Sequence, residues 1–219
     1  PIHTSVAYVC NDPQQADAIL AGEEDGYCYQ RDGHPNQDSL AEICRQLHSP
    51  ESDEASVTIT SSGMAAMTLA VVAHLNQGDH VILSNRLYGK TTTLIGQQAQ
   101  RFGITATEVD LHDPAAFENA FQPQTKMVIV ETISNPQVRV ADLESLARTT
   151  HAHDALLLVD NTFATPIVCR PLEQGADLVL ESMTKFMNGH GDVVLGMLVG
   201  RPGLLKDGNQ IASTWGLVA

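Results

Sequence analysis

A lysine that follows an apolar strand is the first residue to weigh. In Leu178-Val179-Leu180-Glu181-Ser182-Met183-Thr184-Lys185-Phe186-Met187, the lysine at position 185 sits between apolar flanks. Lysine forms Schiff bases with carbonyls, and burial or a nearby cation makes its amine a better nucleophile. An isolated lysine is an ordinary surface residue, but Val179, Leu180, Phe186 and Met187 argue against that here. A second feature is Leu156-Leu157-Leu158-Val159-Asp160. A carboxylate directly after an apolar strand is costly to desolvate unless it has a partner. A protonated pyridine nitrogen is one such partner, and capping of the next turn is the plainer use. The third is Ser61-Ser62-Gly63-Met64, where a strand runs into a helix. Glycine lets the backbone approach a ligand, and free N–H groups at a helix start favour an anion such as phosphate. Ser61 or Ser62 can equally be a simple N-cap. Ser182 and Thr184 add two hydroxyls beside Lys185.

These residues need elements to hold them. The first 35 residues are read as irregular, running through Asn11-Asp12-Pro13, Gly22, Gly26 and Arg31-Asp32-Gly33-His34-Pro35, with a short helix possible over Gln14 to Leu20. Such a segment has no core of its own and is expected to lie on something else. Beyond it, strands are expected over Val57–Thr60, His80–Leu83, Ile104–Val109, Met127–Glu131, Ala155–Val159, Leu178–Leu180 and Gly196–Val199. Helices are expected over Ser39–Leu47, Gly63–Leu75, Thr91–Phe102, from Asp113-Pro114 to Phe121, and over Ala141–Thr150. This alternation predicts an α/β domain with a largely parallel sheet. In such sheets ligands bind beyond the carboxyl ends of the strands. Five polar clusters should then share one rim: Thr60–Gly63, Asn85–Thr91, Glu131–Asn135, Asp160–Thr162 and Glu181–Lys185.

Composition sets limits. The 219 residues carry a formal charge of −14, which disfavours nucleic acid and anionic membrane surfaces as partners. No stretch approaches a membrane span and no signal peptide opens the chain. Cys10, Cys28, Cys44 and Cys169 form no C-x-x-C pair, so they are expected as free thiols in a reducing cytoplasm. No metal site is expected, since no H-E-x-x-H is present and His151 and His153 lie in a polar stretch. Gly89-Lys90-Thr91 mimics the end of a P-loop, but that motif needs glycine where Ser84 stands. Pro1 in place of Met and the apolar end Trp215–Ala219 suggest ends that were cut.

A phosphate cradle, a carboxylate for a ring nitrogen and a Schiff-base lysine are the three handles of a pyridoxal 5'-phosphate (PLP) site. The sequence resembles the Cys/Met-metabolism (transsulfuration) family of PLP enzymes. The resemblance rests on Y-x-R followed by a proline at Tyr29–Pro35, S-S-G-M-A-A, L-Y-G-K-T, E-T-I-S-N-P, V-D-N-T-F-A-T-P and S-M-T-K-F-x-N-G-H-G-D, in that order over nearly the whole chain. It implies a fold-type-I architecture, with a mostly parallel sheet flanked by helices and preceded by an extended N-terminal arm. Residues 1–35 would be the arm and 36–219 the PLP-binding domain, with a C-terminal domain absent from this chain. It implies that Lys185 carries the cofactor, Asp160 meets the pyridine nitrogen, and Ser62, Gly63, Met64, Ser182 and Thr184 meet the phosphate. Tyr88 would stack on the ring and serve as a proton carrier, and Asn135 would lie near the phenolic oxygen. Tyr29 and Arg31 would reach the phosphate of a neighbouring subunit, in a homo-oligomer of the dimer-of-dimers kind. The implied reaction is elimination or replacement at Cγ or Cβ of cystathionine, methionine, cysteine or an O-acylhomoserine. A non-catalytic PLP-binding fragment, lacking the domain that binds the substrate carboxylate, is the alternative. Two stretches depart from the expected pattern: His34-Pro35-Asn36 replaces Asn-Pro-Thr, and Lys90 stands where methionine γ-lyases carry Cys.

Overall fold

The computed structural model describes residues 2–51 and 54–219. Helix α1 (Pro13–Leu20) opens the chain, with Asp12 accepting the N–H of Gln15 at 2.8 Å, and buries none of its residues. The next helix, α2 (Pro35–His48), starts at Pro35 rather than Ser39. Proline needs no N–H in a first turn, and the His34 ring accepts the N–H of Asn36 at 3.2 Å. Then follow β1 (Ser56–Thr60), α3 (Gly63–His74), β2 (His80–Ser84), α4 (Gly89–Thr93), β3 (Thr105–Val109), α5 (Pro114–Asn119) and β4 (Thr125–Glu131). After these come α6 (Leu143–Ala152), β5 (Leu156–Asp160), α7 (Thr165–Val168), β6 (Leu178–Glu181), β7 (Gly196–Gly200) and α8 (Gly208–Trp215).

The seven strands form one sheet in the order β1-β7-β6-β5-β4-β2-β3. Strands β3, β2, β4, β5 and β6 are mutually parallel, as expected from the alternation of strands and helices. Strand β7 runs antiparallel to both β6 and β1, a reversal the sequence pattern does not reveal. Two reversals restore the direction, so β1 points the same way as β6. The carboxyl ends of β1, β2, β4, β5 and β6 therefore share one edge, and the five polar clusters collect there.

Successive side chains of a strand face opposite sides of the sheet. Ile129, Leu158, Leu180 and Leu198 pack with Met67, Leu69 and Ala70 of α3 on one face. Val128, Val130, Leu157, Val159 and Val179 pack with Phe117, Leu143 and Leu146 of α5 and α6 on the other. Both faces are covered, which is why these strands read as continuous apolar runs.

Three differences from expectation have local causes. The helix expected over Thr91–Phe102 begins as α4, widens into a π turn at Leu94–Gln98 and tightens into a 3-10 turn at Ala99–Phe102. Gly103 ends it with φ 77°, as expected of a glycine stop. Helix α7 and the 3-10 turn Pro171–Gln174 are four residues each, too short to show a period. Helix α8 was not foreseen because Gly208, Asn209, Ser213 and Thr214 are weak helix formers.

The arm is less irregular than its composition suggests. Besides α1, Ala7 pairs with Tyr29 in an isolated bridge, and Tyr8 packs on the rings of Tyr27 and His34. It is tied to the rest of the chain by the Ser213 hydroxyl, which donates to Asp32 at 2.5 Å. The thiols of Cys10 and Cys28 touch at 3.4 Å without a disulfide, and all four cysteines are free. Among the described residues no helix is long and apolar enough to cross a membrane.

The turn from β1 into α3 is clamped on both sides. A Cβ on Gly63 would lie 2.7 Å from Ser182 Cβ, and a Cβ on Gly196 would lie 2.2 Å from the Ser62 carbonyl oxygen. Neither contact can be relieved by rotating a long side chain. Gly196→Ala should therefore lower the unfolding free energy by about 2 kcal/mol or more, because the backbone must shift. Gly96→Ala, with nothing within 4 Å of the added carbon, should change it by less than about 1 kcal/mol. Urea unfolding of the two variants beside the parent checks both values.

Candidate active site

A cavity of about 710 Å³ opens at the shared rim. Its lining contains Ser62, Gly63, Met64, Tyr88, Asn135, Asp160, Ser182, Thr184 and Lys185. Nine of the expected site residues thus meet in one place, although they come from loops after five different strands. The other two, Tyr29 and Arg31, are absent from that lining; the Arg31 guanidinium lies 5.4 Å over the Tyr29 ring on the arm.

Asp160 ends β5 on the α3 side of the sheet, level with Leu180 of β6 and Glu131 of β4. Its side chain is deep, with part of it open to the cavity. Burial pushes its carboxyl above the usual range, against the opposing pull of Thr162. Thr162 donates its N–H to Asp160 Oδ1 at 3.0 Å. Among the described residues no cationic side chain forms an ion pair with this carboxylate. Asp160 is thus a desolvated acid aimed at empty space, the arrangement that a cationic ring nitrogen would complete. The turn-capping use and the ligand-facing use coexist, because Thr162 occupies only part of the group.

The opposite wall is the start of α3. Ser62 is its N-cap, its hydroxyl accepting the N–H of Ala65 at 3.1 Å. That leaves the first N–H groups of a twelve-residue helix at the cavity wall, a setting suited to a phosphate. The close approach of Gly63 to Ser182 joins this helix start to the loop after β6. The two hydroxyls of that loop are not equivalent. Ser182 donates its N–H to Thr162 Oγ1 at 2.8 Å. Thr184 donates its hydroxyl to the Leu195 carbonyl and accepts the Leu195 N–H, both at 3.1 Å, so its proton is already engaged.

Lys185 is exposed rather than buried, within a turn that follows β6. Its flank Phe186 is exposed as well and meets Phe163 edge-on at 5.3 Å between ring centres. Of the apolar flanks seen in the sequence, Leu180 and Phe186 line the cavity, Val179 lies in the core and Met187 packs against it, so together they do not enclose the lysine. Tyr88 is 51% exposed, with its ring free to cover a ligand. The lining contains neither arginine nor a second lysine. The residues present fit PLP: a buried acid for its nitrogen, a helix start for its phosphate, one amine for its aldehyde and one aromatic ring for its face.

Several lining residues carried no role in the sequence reading, among them Glu131, Thr162, His190, Phe163 and Phe186. Glu131 was legible in principle: it has the parity of Met127 and Ile129, which face α3, so it faces the same way as Asp160.

Beneath the rim, on the other face, lies a second polar group. Asn161 donates to Glu181 Oε1 at 2.9 Å and accepts from the Thr132 hydroxyl at 2.7 Å, joining the ends of β4, β5 and β6. His48 Nε2 is 3.3 Å from Glu181, and both side chains are fully buried. Burial pushes Glu181 up to about 8, with Asp160 adding to it against Asn161, and burial pushes His48 down to about 4, with Arg170 adding to it. Both groups are neutral near pH 7, so this contact is not an ion pair.

The comparisons with known proteins agree with this fold. A family model for Cys/Met metabolism PLP-dependent enzymes matches residues 1–218. An L-methionine gamma-lyase of Porphyromonas gingivalis is 38% identical over 208 residues, which is 94% of this chain and 51% of that protein. A Campylobacter jejuni structure described as an O-acetylhomoserine (thiol)-lyase, with pyridoxyl-lysine monophosphate in it, is 33% identical. It has a TM-score of 0.86 over 93% of this chain and 50% of its own. A Xanthomonas oryzae pv. oryzae cystathionine gamma synthase, in complex with aminoacrylate and cysteine, is 34% identical. Its TM-score is 0.89 over all of this chain and 54% of its own. The chain spans about half the length of the relatives it matches.

A carboxyl whose pKa is raised by folding contributes fully below its unfolded value, and the contribution is lost as pH rises through the folded value. For Glu181 that window runs from the ordinary 4.5 to about 8. Glu181→Gln should therefore lose less stability than the parent between about pH 5 and about pH 9, the difference being on the order of 5 kcal/mol. Urea midpoints measured across that range check the sign.

Proposed function

Because the chain belongs to the Cys/Met-metabolism PLP-dependent enzyme family, we propose that the rim cavity serves elimination or replacement at Cγ or Cβ of a sulfur amino acid or an O-acylated homoserine. Cystathionine, methionine, cysteine and O-acylhomoserines are the substrate class. The observation that carries this reading is the meeting of Lys185, Asp160 and the α3 start in one cavity. A non-catalytic fragment would retain the same fold, and nothing in the cavity favours that alternative.

The cofactor supplies an electron sink for bonds breaking at the substrate Cα. Lys185 is assigned to hold its aldehyde carbon, Asp160 to keep a proton on its ring nitrogen, and Tyr88 to cover its ring. Asn135 is assigned to the side of the phenolic oxygen. Ser62, Gly63, Met64, Ser182 and Thr184 are assigned to the phosphate, which the main-chain N–H groups of α3 favour most directly because the Thr184 proton is engaged elsewhere. With its amine free, Lys185 Nζ would carry protons between the substrate Cα, the cofactor and Cβ. The Tyr88 hydroxyl takes a proton from the substrate amine or gives one to the leaving group.

The cavity lining holds no arginine against a net charge of −14. A phosphate there lacks the guanidinium that such a group usually attracts. Tyr29 and Arg31 are assigned to a neighbouring subunit's phosphate, in a homo-oligomer of the dimer-of-dimers kind. Support comes from their absence from this chain's own lining and from the exposed apolar residues Ile2, Val6 and Val9 on the arm. A reducing cytoplasm is the compartment that four free thiols suit.

Borohydride treatment of the PLP-loaded protein should leave a pyridoxyl group on Lys185, mapped by mass spectrometry. Lys185→Ala should lower turnover by about 1,000-fold or more on whichever of the four substrates the parent accepts; a label elsewhere overturns the assignment. Arg31→Ala should weaken PLP binding by about tenfold, read by cofactor titration, and the parent should sediment as an oligomer. A monomer that retains a full complement of PLP contradicts the shared site.

A further inference from the structure

Glu131 lines the cavity, yet no step above uses it. It ends β4 in register with Asp160 and is 8% exposed. Each of its carboxylate oxygens has a different main-chain donor. Oε1 accepts the N–H of Tyr88 at 2.6 Å, and Oε2 accepts the N–H of Asn135 at 3.2 Å. These donors sit in loops that follow different strands, β2 and β4. Tyr88 has no side-chain hydrogen bond at the head of α4 and half of its surface is exposed, so this main-chain contact is what ties its position to the sheet.

A carboxylate is a costly choice for this place. Burial pushes Glu131 up to about 7, and the neighbouring Asp160 adds to that; the N–H groups of Tyr88 and Asn135 pull it back down. A glutamine has the same shape without the charge, but it offers a single acceptor oxygen. The two N–H donors meet two different oxygens, and a glutamine would place its NH2 against one of them, so among side chains of this length only the carboxylate accepts from both donors where they stand. The two-loop geometry therefore accounts for a second acid kept beside Asp160.

We propose that Glu131 is a positioning residue that holds the Tyr88 loop and the Asn135 loop at a set separation across the cavity. The inference rests on the reading of the cavity as the PLP site, since it gives a purpose to that separation: the ring-covering tyrosine stands on one side and the amide on the other. Glu131 acts through these two residues and needs no contact with the reacting atoms.

The test compares the parent with Glu131→Gln and Glu131→Ala, with PLP itself as the probe. Amide hydrogen exchange in the cofactor-free proteins should show Tyr88 or Asn135 losing protection in Glu131→Gln and both losing it in Glu131→Ala. PLP affinity should fall by about tenfold in Glu131→Gln, and the circular dichroism of the bound-cofactor band should shrink, with the thermal midpoint held or raised because a buried charge is gone. Unchanged affinity and dichroism in Glu131→Gln, or losses that merely track a fall in the thermal midpoint, would overturn the proposal. If the alanine variant does not fold, the isosteric glutamine variant decides alone. If the parent itself fails to bind PLP, the reading of the cavity falls, while the exchange data still decide whether Glu131 holds the two loops.

Discussion

A half-buried carboxylate that no cationic side chain pairs with among the described residues is the constraint around which this molecule is arranged. Asp160 stands at the end of an apolar strand, desolvated on its protein side and open to a cavity on the other. Among the described residues, Thr162 is the hydrogen-bonding neighbour that offsets that burial. Such a group is tolerable when a cation completes it, so the fold is best understood as one side of a complex. Thr162 then extends the constraint outward: its N–H holds Asp160 and its hydroxyl receives the N–H of Ser182, so the acid and the loop of Lys185 are positioned by one residue.

The sheet makes this arrangement possible. Parallel strands deliver their carboxyl ends to one edge, and the reversed β7 leaves β1 pointing the same way as the others. The start of α3 therefore faces the loop after β6 across a gap too narrow for a side chain on Gly63 or Gly196. Close packing here brings the anion-binding end of one helix, the amine of Lys185 and the acid of Asp160 around the same space. Beneath them, Thr132, Asn161 and Glu181 tie three strand ends together from the opposite face.

Electrostatics explains the division of labour. A chain with charge −14 that lines its cavity with two carboxylates and one lysine cannot attract a phosphate by side-chain charge alone. The helix start supplies neutral N–H donors, which are insensitive to that background. On the arm, the Arg31 guanidinium lies over the Tyr29 ring and outside the cavity lining of its own chain.

Much of this was readable from residue order, and the reason is locality. The parity of Ile129, Leu158 and Leu180 marks which residues of each strand share a face, and the polar residue after each run marks the rim. Lys185, Asp160 and Gly63 could be singled out because each follows an apolar strand, a relation contained within a few neighbours. Direction and approach are not local properties. That β7 runs backwards, that Thr184 spends its proton on Leu195, that Lys185 is exposed at a cavity, and that Glu131 reaches a loop 43 residues away at Tyr88 all depend on which distant segments meet. Sequence periodicity specifies which face of an element is buried; only the packed sheet decides what lies opposite it, because hydrogen bonds and close contacts act between neighbours in space.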